Sequence, residues 1–144
     1  MALEEKDVPN EFEVDETIAD AIRARLEDEK ISCTATFAIA RNFSIPPLQV
    51  GKTADVLQIH LSRCQLGLFG YPGKQGWTEE RIDKEKPLPP GFEEAVRVDL
   101  DDEGQLSCAK AWQIATRFEI PRLQMGWFVE KMGISIKPCQ LGAF

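Results

Sequence analysis

Histidine is almost absent from this chain, which has His60 as its only one. A single imidazole excludes metal sites built from several histidines, and no local pattern pairs it with a nucleophilic cysteine. The chain also lacks a Cys-x-x-Cys pair and the glycine and lysine spacing of a phosphate-binding loop. Its paired carboxylates lie in charge runs typical of a solvated helix face. The sequence therefore offers no catalytic constellation, and we expect a protein that is not an enzyme.

Long apolar runs are missing as well. Hydrophobic residues make up 43% of the chain and charged residues 28%, both ordinary for a soluble globular protein. The first residues are acidic, whereas a secretory leader begins with basic residues and continues with an apolar stretch. We therefore expect no membrane partner, a cytoplasmic location and cysteines that stay reduced.

One segment of the sequence occurs twice. Residues 31–69 match residues 106–144 at a constant offset of 75 without a gap, and 16 of the 39 aligned pairs are identical. The segment Cys-Gln-Leu-Gly at residues 64–67 recurs unchanged at residues 139–142. A unit of about fifty residues is too small to bury a large core alone, so we expect two similar units that share an interface.

The chain is divided by this repeat into four parts. We predict an acidic flexible tail over residues 1–15, a first unit over 16–73, a connector over 74–90 and a second unit over 91–144. Charge follows the same division, although the net charge is −7. The two duplicated cores are basic, with four basic against one acidic side chain over residues 30–73 and five against two at the chain's end. The acidic total therefore does not exclude nucleic acid as a partner.

Each unit is predicted to contain three helices followed by strand. In the first unit Ile18, Ile22 and Leu26 have the spacing of an amphipathic helix. Ser32 and its equivalent Ser107 are suited to cap a second helix. A third helix follows with proline in its first turn.

The end of each unit changes period. Residues 59–61 and 134–136 alternate, and residues 64–69 read as extended chain, which predicts a terminal strand that forms a hairpin or a wing. The predicted fold class is therefore mainly α with short β-strands (α+β).

Residues 38–57 resemble a helix-turn-helix. Ala40 is small enough to let two helices approach, Ile45 is an apolar anchor for the turn, and Gly51 follows early in the next helix. The turn departs from the usual pattern, because it contains Ser44 and no glycine. With a helix before it and strands after it, each unit is similar to a winged helix, so the chain is predicted to hold two tandem winged-helix-like units from an internal duplication.

The resemblance implies that residues 46–58 form a recognition helix that enters a major groove. Its outward side chains in the first unit would include Gln49, Lys52 and Thr53, which suit base edges and phosphates. Tryptophan and phenylalanine replace the last two in the second unit, where we expect packing or a partner instead. The candidate DNA-binding residues are Gln49, Lys52, Thr53, Arg63, Lys74, Arg122, Gln124 and Lys131, and the candidate interface residues are Trp127 and Phe128.

Three functions remain open at the level of sequence. The predicted one is a DNA-binding, transcription-regulatory protein whose partner is double-stranded DNA. The first alternative is a protein-interaction or assembly module with a protein partner or a second copy of the chain. The second is a metal or redox sensor in which the cysteines converge. Because their spacing matches no common ligand motif and helix faces favour buried thiols, we predict no metal and no cofactor. These cysteines are Cys33, Cys64, Cys108 and Cys139.

Overall fold

The computed structural model describes residues 12–73, 75–78 and 82–144. This part of the chain is mainly helical with one small sheet, so the predicted α+β class is confirmed. Lys74 and residues 1–11 of the predicted tail lie outside the described residues. The elements in chain order are α1 Glu16–Arg23, β1 Ile31–Ser32, α2 Cys33–Phe43, α3 Pro47–Val56, β2 Leu61–Ser62, a 3₁₀ turn Gly76–Thr78 in the connector, α4 Phe92–Val98, α5 Cys108–Arg117 and α6 Arg122–Lys131.

Serine side chains fix where α2 and α5 begin. The Oγ of Ser32 accepts a hydrogen bond of 3.0 Å from the backbone N–H of Ala35. The Oγ of Ser107 accepts one of 3.1 Å from the backbone N–H of Lys110. Each bond satisfies a donor that the first helical turn leaves without a partner. Both predicted caps are confirmed.

The first helix is shorter than its apolar spacing predicts. α1 ends at Arg23, and the chain then turns back on itself through two backbone hydrogen bonds between Glu27 and Lys30, of 2.7 and 3.0 Å. The two residues inside this turn, Asp28 and Glu29, have positive φ angles of 52° and 62°. Two successive left-handed residues cannot continue a right-handed helix, which explains the early end.

A tight turn without glycine joins the second and third helices of each unit. Ser44 has a φ of 54° and its equivalent Glu119 a φ of 56°, so both adopt the left-handed conformation. In each unit the next residue donates its backbone N–H to a carbonyl of the preceding helix. Ile45 donates to Ala40 at 3.0 Å, and Ile120 donates to Ala115 at 2.8 Å. α2 packs against α3, and α1 packs against both. The predicted turn therefore forms with serine and glutamate in the glycine position.

The predicted terminal strand forms in the first unit as the short β2, but no second strand follows it within the described residues to make a hairpin or a wing. β2 pairs in parallel with β1, with Ile31 opposite Leu61, instead of folding back on a following strand. Residues 64–69 form a closed turn in which the N–H of Cys64 donates to the carbonyl of Phe69 at 3.1 Å. Gly67 lies in this turn with a φ of 84°, a left-handed conformation that glycine adopts without strain. The glycine therefore makes a turn where the sequence suggested strand.

The two units contact each other through pairs of equivalent aromatic residues. The ring centroids of Phe37 and Trp112 are 4.6 Å apart, and those of Phe69 and Phe144 are 5.9 Å apart. Each pair joins a residue to its own equivalent 75 positions later, as side chains on a two-fold axis do. One cluster of buried apolar side chains runs through both units. The units therefore share a core.

Two glycines allow the closest approach between the units. A Cβ atom on Gly51 of α3 would lie 1.9 Å from the backbone oxygen of Leu141. A Cβ atom on Gly126 of α6 would lie 1.7 Å from the backbone oxygen of Leu66. The contact is reciprocal, because each unit presses the turn of its Cys-Gln-Leu-Gly segment against the third helix of the other. Only glycine fits at these two positions.

Candidate nucleic-acid interface and the four-cysteine pocket

The third helix of the first unit carries the predicted DNA contacts, and the structure sorts them by exposure. Gln49 and Lys52 are half-exposed on α3. Thr53 is buried, with only 1% of its surface exposed, and its hydroxyl donates to the carbonyl of Gln49 at 2.8 Å. The prediction that Thr53 faces outward is therefore wrong. Its side chain lies in the core and its hydroxyl is bonded within α3.

The equivalent face of α6 is covered by the connector. Gln124 is buried, and its side-chain amide makes two hydrogen bonds to the backbone of Asp83, accepting at 2.9 Å and donating at 3.0 Å. The indole N–H of Trp127 donates to the carbonyl of Lys84 and the ammonium group of Lys131 to the carbonyl of Lys86, both at 3.3 Å. Gln124 is therefore held against the connector, whereas Lys131 contacts the connector and remains exposed.

The two candidate interface residues differ in their surroundings. Trp127 is half-buried beneath the connector, where its ring lies 5.7 Å from that of Trp77. Phe128 is fully buried inside the second unit, and its ring lies 5.4 Å from that of Phe92. Phe128 is therefore a core residue of its own unit and not a surface for a partner, because it faces α4.

Arg122, another predicted DNA contact, instead joins the two units. Its guanidinium carbon lies 3.6 Å from the centre of the Trp112 ring, a cation–π contact. The same guanidinium donates to the side-chain oxygen of Gln65 in the other unit. Arg63 is exposed, with its guanidinium 5.6 Å from the centre of the Tyr71 ring. Lys74 lies outside the described residues, so the first unit presents Gln49, Lys52 and Arg63.

All four cysteines line one pocket between the units. Cys33 and Cys108 begin α2 and α5, and Cys64 and Cys139 begin the two Cys-Gln-Leu-Gly turns. All four are free thiols, of which three are buried and Cys139 is half-buried. Apolar and aromatic side chains form most of the remaining lining, with Gln65 and Gln140 beside them. The folded chain therefore brings together four thiols that are far apart in sequence.

Nitrogen donors point at three of these sulfurs. The side-chain amide of Gln140 donates to the Sγ of Cys108 at 3.3 Å, and that of Gln65 reaches the Sγ of Cys33 at 3.8 Å. The backbone N–H of Leu141 donates to the Sγ of Cys139 at 3.3 Å. Gln65 and Gln140 were not among the predicted site residues. Both copies of the repeat have glutamine at this position, which is the sequence feature that could have indicated a role.

Burial keeps three of these thiols protonated. It raises the pKa of the Cys33 thiol from 9.0 to about 12 and that of Cys108 from 9.0 to about 11, against the opposing effect of hydrogen bonds from Gln65 and Gln140. Burial also raises the pKa of Cys64, against the opposing effect of backbone N–H groups in its own turn. An ionised thiolate here would need a compensating positive charge.

These shifts predict that the metal-free protein loses stability in alkali. Above pH 9 the unfolded chain releases thiol protons that the folded chain keeps, because the pKa of Cys33 is about 12 in the fold. The unfolded state then binds fewer protons, so each such thiol lowers the free energy of unfolding by up to ~1.4 kcal/mol per pH unit. Urea titrations between pH 8 and pH 11 on wild type and Cys33→Ala measure this. Equal slopes for the two proteins would contradict it.

The remaining candidates contribute no site. His60 is exposed. Among the residues that the structure describes, no three His, Cys, Asp or Glu side chains lie close enough together to hold one metal ion. No helix in the same part of the chain has the length and apolar character needed to cross a bilayer. Comparison of the chain with protein-family models, curated proteins and solved structures finds no match.

Proposed function

We propose that this chain is a tandem of helix-turn-helix units that arose by duplication, and that it binds double-stranded DNA in a regulatory role through α3 of the first unit. The observation that carries the proposal is the difference between two equivalent helices. Gln124 on α6 is buried against the connector, whereas its equivalent Gln49 on α3 is only half-buried. α3 is therefore the helix available to DNA, and α6 supports the connector.

The chemistry of the exposed residues suits a duplex. Gln49 can pair with an adenine edge and Lys52 with a guanine or a phosphate. Arg41 and Arg63 are exposed on the same unit, and arginine side chains are common phosphate contacts. With about three phosphate contacts, log K is expected to fall against log salt with a slope of about −3.

A protein partner on the same surface is the second candidate. Leu48 and Val56 lie on α3 and Phe43 ends α2, and they are 42%, 36% and 41% exposed. Apolar side chains grouped near one helix favour an interaction with another protein. Such binding would depend far less on salt than DNA binding does, because it releases few counterions.

Changing Lys52 to glutamate tests the DNA-binding proposal. We expect Lys52→Glu to weaken binding to sheared genomic duplex DNA by about tenfold or more in low salt and to reduce the salt slope by about 1. The control is Lys110→Glu, which makes the same charge change at an exposed position of α5. Gel-shift titrations at several salt concentrations give both quantities. Equal loss in the two variants, or no binding by wild type at low salt, would favour the protein partner.

A further inference from the structure

The duplicated cysteine pair places four thiols in the lining of one pocket. Each unit supplies one thiol from the start of a helix and one from a turn, at equivalent positions. The pocket lies between the two units and is lined by both aromatic pairs, Phe37–Trp112 and Phe69–Phe144. Four cysteine thiolates are the ligand set that iron–sulfur clusters use.

The polar groups of the pocket are donors aimed at sulfur. Gln65 and Gln140 direct side-chain N–H groups to Cys33 and Cys108, and the turn amide of Leu141 points to Cys139. A protonated thiol is a weak acceptor, whereas a thiolate bound to metal is a strong one. Hydrogen bonds to ligand sulfur are also what tunes the reduction potential of an iron–sulfur cluster. The donors therefore fit bound thiolates better than packed thiols.

The four sulfurs, as they lie in this structure, do not surround one common metal ion. Around one zinc ion all sulfurs lie about 2.3 Å from the same atom, which brings them close together. The described His, Cys, Asp and Glu side chains contain no group of three that is close enough for that. In a four-iron cluster each cysteine binds a different iron atom, so the ligands are held further apart.

We propose that Cys33, Cys64, Cys108 and Cys139 ligate an iron–sulfur cluster held between the two units. Each thiol gives up its proton as its sulfur binds iron. The metal supplies the positive charge that buried thiolates require, and the apolar lining limits contact of water with the cluster. Cys139 is only half-buried, unlike the other three cysteines, and is the side from which iron and sulfide would enter.

Assembly of the cluster has to open the pocket. The free volume between the side chains is about 10 Å³, about the space of one water molecule. The side chains that must move outward include Leu68 and the aromatic rings of the two pairs on the axis. Cluster binding is therefore expected to change the near-ultraviolet circular dichroism of the aromatic residues and to raise the thermal midpoint.

Anaerobic reconstitution tests the proposal directly. The full chain is incubated with ferric iron, sulfide and dithiothreitol, desalted, and analysed for iron, acid-labile sulfide, zinc and visible absorption. We expect about four iron and about four sulfide per chain, and a paramagnetic resonance signal after one-electron reduction by dithionite. Cys33→Ala and Cys139→Ala are expected to lose most of the iron, and because Cys139 is half-buried whereas Cys33 is buried, its variant is the safer one for folding. His60→Ala is the control and should retain all of it.

A second pair of variants keeps all four ligands. Gln140→Leu removes the N–H donor to Cys108, so we expect full iron content with a more negative reduction potential. Gln113→Leu makes the same change at an exposed position of α5 and should leave the potential unchanged. Wild type without iron after reconstitution, one zinc per chain without sulfide, or equal iron in wild type and Cys139→Ala would each overturn the proposal. These outcomes are independent of DNA binding, which the Lys52 variant measures.

Discussion

Gly126→Ala is expected to lower the free energy of unfolding by at least about 3 kcal/mol and to abolish folding if the margin is small. The added methyl carbon would lie 1.7 Å from the backbone oxygen of Leu66, and backbone cannot yield as a side-chain tip can. The loss would appear although alanine is by itself the better helix former by ~1 kcal/mol. Urea denaturation followed by circular dichroism measures it.

Gly104→Ala is the control for this experiment. Gly104 has a φ of 74°, and nothing lies within 4 Å of an added Cβ. It therefore bears only the conformational cost of a left-handed alanine, about 1–2 kcal/mol. Gly51→Ala should resemble Gly126→Ala, because its Cβ would lie 1.9 Å from the oxygen of Leu141. Similar stability of all three variants would mean that the units do not touch as described.

Trp77→Ala is expected to cost about 3–5 kcal/mol, as other deletions of large buried aromatic side chains do. Trp77 is 2% exposed, and its indole N–H donates to the carbonyl of Leu66 at 2.9 Å. Its ring also packs on Trp127 and so holds the connector against α6. The variant should therefore lose stability and expose the face of α6, which faster hydrogen exchange of the connector amides would reveal.

The control for Trp77 is an aromatic residue with little packing. Phe43 is 41% exposed at the end of α2, so Phe43→Ala is expected to cost less than ~1 kcal/mol. A Trp77→Ala variant as stable as Phe43→Ala would show that the connector does not rest on the second unit. Intact exchange protection over residues 82–86 would lead to the same conclusion.

Local chemistry made part of this fold predictable. Ser32 and Ser107 cap their helices because a hydroxyl beside a helix start has donors within reach, whatever the rest of the chain does. The sequence repeat predicted a shared interface because a unit of this size buries too little surface by itself. Apolar spacing placed the helices but not the end of α1, where two left-handed residues intervene.

Tertiary contacts account for what the sequence did not reveal. Gln49 and Gln124 are the same residue at equivalent positions, yet one is half-exposed and the other is buried against the backbone of Asp83. The connector runs over Gln124 and accounts for its burial. No local sequence pattern predicts the path of the connector. That Cys33 and Cys108 line one pocket likewise depends on how the two units pack, which residue spacing along one chain does not specify.

The most direct test of the DNA-binding account is a map of the surface that contacts a duplex. Backbone amide resonances of labelled protein are followed by nuclear magnetic resonance while a short duplex is added in low salt. The account predicts that the largest shifts fall on α3, at Gln49 and Lys52, and on the turn at Ser44, with α6 unchanged beneath its connector. Shifts centred on α6, or none anywhere, would contradict it.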